Sequence, residues 1–597
     1  MVQFDDVLKH LGEFGRYQIR CYLLICLLAI APAMHMFSQV FLVAETDHWC
    51  YTSGVDQYTD TYCGGDVTEE VCNETWKNYT IPYVEDDGAC GLSSEFSQCE
   101  RYNTTGLTYY PGIDMSSQND TTGCVEGWDY DRSVYKSTAF QEFDLVCDDY
   151  YLGALSSSIY MCGVLVGAVL FGALSDMLGR LPSLMMTVAI MVIFGTAVAF
   201  SPNYIAFVIF RFFVGLSANG MFLVAFVLAT ELVGPSKRTL AGIAIEFFFS
   251  FGYMLISVLA YFIRYWWQLQ LVITVPNVIF LLYLFILPES PRWLLSKGKS
   301  EKAEKVIREC AKYNGVNVPD EVYEEIRGQK KEVEVEVEAD RGSFVDLFRL
   351  PNMRAKSFNI FYNWFTNSFV YYGLSLNTSN LGGNDFLAAF ISAAVEVPAY
   401  IMSLFILDSP LGRRWSLSLT LLVGGIACLS TLFVPACDTS LEWLGITLSM
   451  TGKFAISASF AIVYVFSAEL YPTPVRNIGM GISSMCARIG GILAPQMLLL
   501  GNLWEPLPLV VFGSTAVIAG LLTLLLPETL NKKLPETLEE GEAFGKKKKK
   551  QAENSMSIDE KDTNGIVKSK EIQVDMETKE GMTNNGFIDL EMEKIEK

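Results

Sequence analysis

The sequence predicts an all-α membrane protein: twelve transmembrane helices in two six-helix halves, with a large extracellular loop domain and a cytoplasmic helical linker. Three observations predict it. The 597 residues are 51% hydrophobic and 13% aromatic, with charge confined to certain stretches, too apolar for a soluble multi-domain chain of this length. Twelve apolar runs approach the roughly 20 residues needed to cross a bilayer: 21–43, 150–172, 183–201, 204–229, 240–262, 267–287, 357–376, 386–407, 415–436, 443–467, 478–500 and 508–526. Finally, GALSDMLGR at 172–180 recurs in altered form as LDSPLGRR at 407–414, as in a bilayer protein made of two related halves. In hydrocarbon each run must be a helix, because its backbone polar groups find no water.

Residues 1–20, MVQFDDVLKHLGEFGRYQIR, are charged and amphipathic. No cleavable signal with a small-residue exit site precedes the first run, so this segment is placed in the cytoplasm. Lys9, Arg16, Arg20, Arg180, Lys237, Arg238, Arg413, Arg414 and Arg476 then share one side, as the positive-inside rule requires. An even number of spans returns the tail to the same side.

After the first span, 21–43, composition changes over 44–149 to acidic, Cys-rich and turn-rich. This is read as a separate extracellular glycosylated domain. Asn73, Asn78, Asn103 and Asn119 are N-glycosylation acceptors inside it, and Asn377 is a fifth where the seventh span exits. All five fall outside by the charge count. Cys50, Cys63, Cys72, Cys90, Cys99, Cys124 and Cys147 favour a disulfide framework in an oxidising exterior. The number is odd, so either Cys437 supplies an eighth partner or one thiol stays free, and the connectivity stays open.

Residues 150–287 hold spans two to six. Between the second and third, Gly172 and Gly179 allow a tight hinge, while Asp176 and Arg180 carry opposite charges able to bind helix ends and each other. Glu246 lies inside the fifth run, where an unpaired carboxylate is costly, so it is expected to face a cavity or a cation. Residues 288–356 open with PESPRWL and continue with basic and acidic residues at helical spacing, a cytoplasmic helical linker. Its EVEVEVE run at 332–338 reads as solvated linker or a short exposed strand.

Residues 357–526 hold spans seven to twelve, with NWFTNSFVYYGLSLNTSNLGG, VEVPAY, AELYPTPVRN and GMGISSMCARIGGILAP in the seventh, eighth, tenth and eleventh. Together with GALSDMLGR, PESPRWL and the opening LGEFGRYQ, these resemble the organic cation and carnitine transporter family of the major facilitator superfamily over nearly all of 1–540. Sugar porters share PESPRW, but their glutamine-rich seventh-span signature is missing. The tail, 527–597, begins with PETLNKKLPETLEE, similar to the family's closing motif, and beyond about 545 is expected to be disordered. Lys546 to Lys550 form a basic run suited either to anionic lipid or to a solvated stop.

The resemblance implies the major facilitator fold, alternating access, and a midplane site between the halves. It also implies that Glu231 pairs with Arg180 as a cytoplasmic latch with Gly172, Asp176 and Gly179, and that Asp408, Arg413, Arg414, Glu469 and Arg476 gate the second half. Ionisable side chains near the bilayer centre persist where they face water, each other or a charged ligand, which singles out Glu396, Lys453 and Arg488. Glu396 matches the carboxylate that family members place near the cavity. Arg488 stands where dedicated cation carriers have an aspartate, and it suits a ligand carboxylate. Lys453 serves either the ligand or an internal pair. Trp364 and Tyr371, seven residues apart, share nearly one helical face and with Tyr372 are expected to surround a quaternary ammonium, at roughly 0.5 to 2 kcal/mol per contact. His35, Gln39 and Tyr464 are further cavity candidates.

No Walker loop, metal cluster or nucleophile-and-base spacing is present, so no enzyme and no cofactor is expected; a coupling ion, Na+ or H+, is left open. The net charge of −22 sums an acidic loop and an acidic tail and points to no nucleic acid. The expected function is a plasma-membrane carrier of small organic cations or carnitine-like zwitterions. An organic anion carrier, or a non-transporting receptor on the same scaffold, is the alternative.

Overall fold

The computed structural model describes residues 4–52, 77–78, 80–86, 93–103, 120–328, 343–378, 384–407, 409–434 and 441–545. A short amphipathic helix α1 (Phe4–Leu11) leads into α2 (Arg16–Leu42), and α3 (Cys147–Leu178), α4 (Arg180–Ala199), α5 (Tyr204–Glu231), α6 (Leu240–Phe262) and α7 (Trp266–Ile286) complete the first half. The linker folds as α8 (Pro291–Ser296), α9 (Ser300–Asn314) and α10 (Asp320–Gly328). The second half holds α11 (Pro351–Leu376), α12 (Asp385–Leu407), α13 (Gly412–Phe433), α14 (Trp443–Leu470), α15 (Thr473–Asn502) and α16 (Leu507–Thr523), and α17 (Leu538–Ala543) follows.

Among the described residues ten helices are long and apolar enough to cross a membrane, α2 to α7 and α12 to α15. The other two fall short for different reasons. α16 is apolar but has 17 residues. α11 has 26, but its interior carries a polar ladder. Asn363 Nδ2 donates to the Asn359 carbonyl at 2.9 Å and Asn367 Nδ2 to the Asn363 carbonyl at 2.8 Å, while Thr523 and Ser459 donate to the Asn363 and Asn367 amide oxygens. Every rung is satisfied inside protein, which is what allows such residues at this depth.

Small residues bring the helices together. A Cβ on Gly163 or Gly167 of α3 would stand 2.1 Å from the Phe212 or Leu216 carbonyl oxygen of α5, so backbone touches backbone there. The halves meet along two seams, α3 against α15 and α6 against α12. Ser158 Oγ donates to the Ile492 carbonyl of α15 at 2.7 Å, and Tyr253 Oη of α6 also reaches across to the Ser375 carbonyl of α11 at 3.2 Å. Tyr135, in the loop before α3, donates to Asp385 at the start of α12 at 2.9 Å. Among the described residues no hydrogen bond joins the ends carrying the 172–180 and 409–414 turns.

Both turns are narrower than their sequences suggested. α3 runs unbroken through Gly172 to Leu178, because 172 to 178 keeps helical geometry, and the reversal falls on Gly179 alone, at φ +118°. Gly172 is therefore helical, not hinge. Gly412, at φ +79°, plays the same part in the second half, and Asp408 lies outside the described residues.

Between α2 and α3, three two-stranded antiparallel sheets form. β1 (His48–Cys50) pairs with β6 (Trp128–Tyr130), β2 (Tyr83–Asp86) with β3 (Ser93–Phe96), and β4 (Glu100–Tyr102) with β5 (Thr121–Gly123). Disulfides Cys50–Cys124 and Cys99–Cys147 bind this segment to itself and to the start of α3. Cys63, Cys72, Cys90 and Cys437 lie outside the described residues, as do Asn73 and Asn119. Asn78 accepts from the Tyr83 hydroxyl, and Asn103 donates to Asp120 at 3.3 Å. Asn377 caps the end of α11 and is 7% exposed, a correction to its reading as an open glycan acceptor: the helix end that carries it is packed inside the bundle.

The linker is tied to the first half. Asn314 Oδ1 accepts from the Tyr17 N–H at 2.8 Å, and its Nδ2 donates to the Leu11 carbonyl at 3.0 Å. The Glu304 carboxyl, bonded by Arg327 and Arg308, is held well below the usual carboxylate range. Residues 332–338 and Lys546 to Lys550 lie outside the described residues.

Candidate functional site

Glu396 opens the second part of α12 and is 0% exposed. Its Oε1 accepts from Tyr371 Oη at 2.6 Å and faces Lys453 Nζ at 2.9 Å; its Oε2 accepts from Ser250 Oγ at 2.7 Å. Lys453, 1% exposed on α14, also donates to Ser375 Oγ and stands 3.3 Å from the Tyr371 ring centroid. This completes a closed polar network. Lys453 resolves as an internal partner, and Glu396 is compensated without any ligand, as burial of an ion pair demands. Ser250 belongs to the opposite half, so the network also crosses the seam.

The expected aromatic cage is occupied from within. Trp364 is 0% exposed, donates from Nε1 to Ser467 Oγ at 2.9 Å, and packs edge-on against Tyr464 at 4.3 Å, because its face of α11 turns to α14. Tyr371 offers its ring to Lys453 rather than to open space. Among these aromatics Tyr464, at 38% exposed, and the half-buried Tyr372 are the open ones. Both lie beside the Arg488 guanidinium.

Arg488, on α15, is half-buried, and Nη2 donates to Asn219 Oδ1 of the first half at 3.2 Å, a neutral partner that leaves the charge unanswered. Across the seam Glu246 on α6 is half-buried, near Tyr372, Tyr464 and Tyr400. Among the described residues Glu246 shows no hydrogen bond or ion pair. Two half-buried unlike charges, one from each half, thus border the space around Tyr372 and Tyr464. Glu246 stood out in the sequence as a costly intramembrane carboxylate, and its accessibility is what the sequence could not give.

His35 and Gln39 do not face that space. Gln39 Nε2 donates to Ser156 Oγ at 2.8 Å on α3, and His35, 0% exposed, lies beside Arg211 of α5 inside the first half. The residue spacing put them on one face; the face turns inward to α3 and α5.

At the turns the two halves repeat one arrangement. Arg180 Nη2 bonds Glu231 at 2.9 Å and Nε bonds it at 3.2 Å, while Nη1 reaches Asp176 at 2.5 Å. Arg413 Nε lies 3.3 Å from Glu469. Arg414 lays its guanidinium toward the Trp415 ring, and Arg476 donates to the Tyr471 carbonyl, so neither joins that pair. Two further carboxylates complete the design. Glu289 accepts from the N–H groups of Arg180 and Leu181, and Glu528 from those of Arg413 and Arg414. Sequence reading passed over both, although PES at 288–290 and PET at 527–529 are visible repeats.

A family profile described as sugar (and other) transporter matches residues 114–540. The chain is 45% identical over 548 residues to an organic cation transporter protein of Drosophila melanogaster, covering 91% of this chain and 95% of that protein. It is 36% identical over 548 residues to organic cation/carnitine transporter 2 of Homo sapiens, covering 90% and 94%. Among solved structures, the inward-open xylose transporter XylE from E. coli superimposes with a TM-score of 0.55 at 16% identity, covering 87% of this chain and 99% of that one. XylE is a major facilitator superfamily protein, and the likeness is one of fold.

Proposed function

The chain belongs to the sugar (and other) transporter family, among its organic cation and carnitine transporters, and we propose that it carries organic cations and carnitine-like zwitterions across the plasma membrane by alternating access. It is a multi-pass membrane carrier, not an enzyme. In this reading α11 and α16 join the ten apolar helices to make twelve spans, both termini are cytoplasmic, and residues 44–149 face outward. The observation that carries the zwitterion reading is that Lys453 answers Glu396, leaving Glu246 and Arg488 as opposite charges open to the space between the halves. Glu246, with Tyr464 and Tyr372 nearby, receives the ammonium pole; Arg488 receives the carboxylate in a charge-assisted pair. Glu396 stabilises the site's wall.

Uptake of labelled carnitine, tetraethylammonium and an aryl carboxylate into cells expressing wild type and variants tests this. Wild type should carry carnitine. Arg488→Ala leaves a ligand carboxylate unpaired, a penalty of about 2 to 5 kcal/mol, or at least roughly thirtyfold in apparent affinity, while sparing tetraethylammonium. Glu246→Gln should weaken both cationic ligands. A wild type that carries tetraethylammonium but ignores carnitine and betaines overturns the zwitterion reading; one that carries the aryl carboxylate alone overturns the cation reading as well.

A further inference from the structure

A second cluster of polar groups lies inside the first half, away from the space between the halves. Arg211 on α5 is 1% exposed, His35 on α2 0%, and Tyr160 on α3 1%. The Arg211 guanidinium stands 4.9 Å from the Tyr160 ring centroid, and its Nη1 donates to Ser38 Oγ at 3.4 Å. Its Nε and Nη2, both His35 ring nitrogens and the Tyr160 hydroxyl are buried without a hydrogen-bond partner among the described residues. Gln39, one turn beyond His35, leaves its Oε1 unpaired as well.

The charge balance is what distinguishes this cluster. Lys453, equally buried, has Glu396 at 2.9 Å. Among the described residues Arg211 has no carboxylate within ion-pair distance, and an unpaired guanidinium at membrane depth is costly. Neutral water would satisfy N–H groups but leave the charge unanswered. The donors themselves describe the missing group. Arg211 offers three N–H groups on Nε and Nη2, Tyr160 an O–H, and the His35 ring at least one N–H. A set dominated by donors around a fixed positive charge, every member buried and the Phe207 ring 5.9 Å from the guanidinium, fits a small, weakly hydrated monovalent anion. An organic carboxylate has no such open approach.

We propose that Arg211, His35 and Tyr160 form a binding site for a small inorganic anion, chloride in physiological saline, which holds α2, α3 and α5 together by supplying the counter-charge that the chain omits. The site is separate from Arg488 and independent of the substrate assignment.

The test uses the full-length protein in lipid nanodiscs and reads its thermal unfolding midpoint as sodium gluconate is exchanged for sodium chloride at constant ionic strength. The midpoint should rise and saturate with chloride, with bromide substituting. Arg211→Gln should abolish the rise. Tyr160→Phe keeps the charge but removes one donor, and should raise the half-saturating chloride concentration about tenfold or more; it decides the matter if Arg211→Gln fails to fold. Arg488→Gln, which removes the guanidinium between the halves, should keep the rise. A wild-type midpoint indifferent to chloride overturns the proposal, as does a rise lost in Arg488→Gln but retained in Arg211→Gln or Tyr160→Phe.

Discussion

In the first half Arg180 grips Glu231 through Nη2 and Nε and takes Asp176 on Nη1, whereas in the second half Arg413 meets Glu469 through Nε alone, and Glu469 also accepts from Thr529 at 2.6 Å. The supporting carboxylates differ in the opposite sense. Burial pushes the Glu289 carboxyl above its ordinary range despite the N–H groups of Ser290, Arg180 and Leu181. Burial also acts on Glu528, but the N–H groups of Leu530, Arg413, Arg414 and Thr529 outweigh it and hold it below. The repeated element is the backbone cradle, a carboxylate under the first N–H groups of a helix, where the helix dipole favours it. The side-chain lock above it has diverged, tight with a strained base in one half, loose with a relaxed base in the other.

Breaking the locks should show this asymmetry. The largest effect is expected from Arg180→Ala, which strips Glu231 of its partner in a mostly buried setting, at about 3 kcal/mol, the scale for breaking a buried pair. Maximal uptake rate should fall at least about tenfold with apparent KM nearly constant, and Arg413→Ala should cost the smaller share; the reverse order would break the comparison.

An intermediate effect is expected at the bases. A carboxyl held below its ordinary value stabilises the fold above the unfolded pKa and loses that contribution as pH falls through the folded one. Glu528→Gln should therefore lower stability at neutral pH by about 1.5 to 3 kcal/mol for charged hydrogen bonds, seen as a lower unfolding midpoint, with the gap closing only as pH falls below the ordinary glutamate value of 4.5. For a raised carboxyl the sign reverses, and stability is lost as pH rises through the folded value. Glu289→Gln should therefore be nearly neutral or mildly stabilising at neutral pH in the same melts. The smallest effect belongs to Asp176→Asn. Its side chain is 71% exposed, and an exposed pair is worth about 1 kcal/mol or less, so uptake should fall less than about fivefold.

Much of this was legible in the chain. The apolar runs and the paired turns follow from length and repetition, and the Arg180–Glu231 lock from the family resemblance. Partners that depend on helix rotation were not. Trp364 and Tyr371 share a face, but nothing in their spacing says that the face turns to α14, where Ser467 and Lys453 wait. The cost of Lys453, Glu396 and Glu246 could be read from their depth; which two of the three would pair could not. Glu289 and Glu528 were overlooked because a carboxylate beside a proline at a span's end reads as surface, and its role rests on backbone N–H groups that no side-chain pattern reveals.

Lys453 on the ring of Tyr371 has a kinetic meaning. The chain carries an ammonium of its own, tethered in the seat that a small cation would find most attractive, and a tethered group competes at an effective concentration in the millimolar range or above. The seat is therefore filled from within the chain. Under the proposed function, the Tyr371 ring and Glu396 are engaged before any substrate arrives, and a ligand gains by engaging the neighbouring charges that Lys453 leaves open.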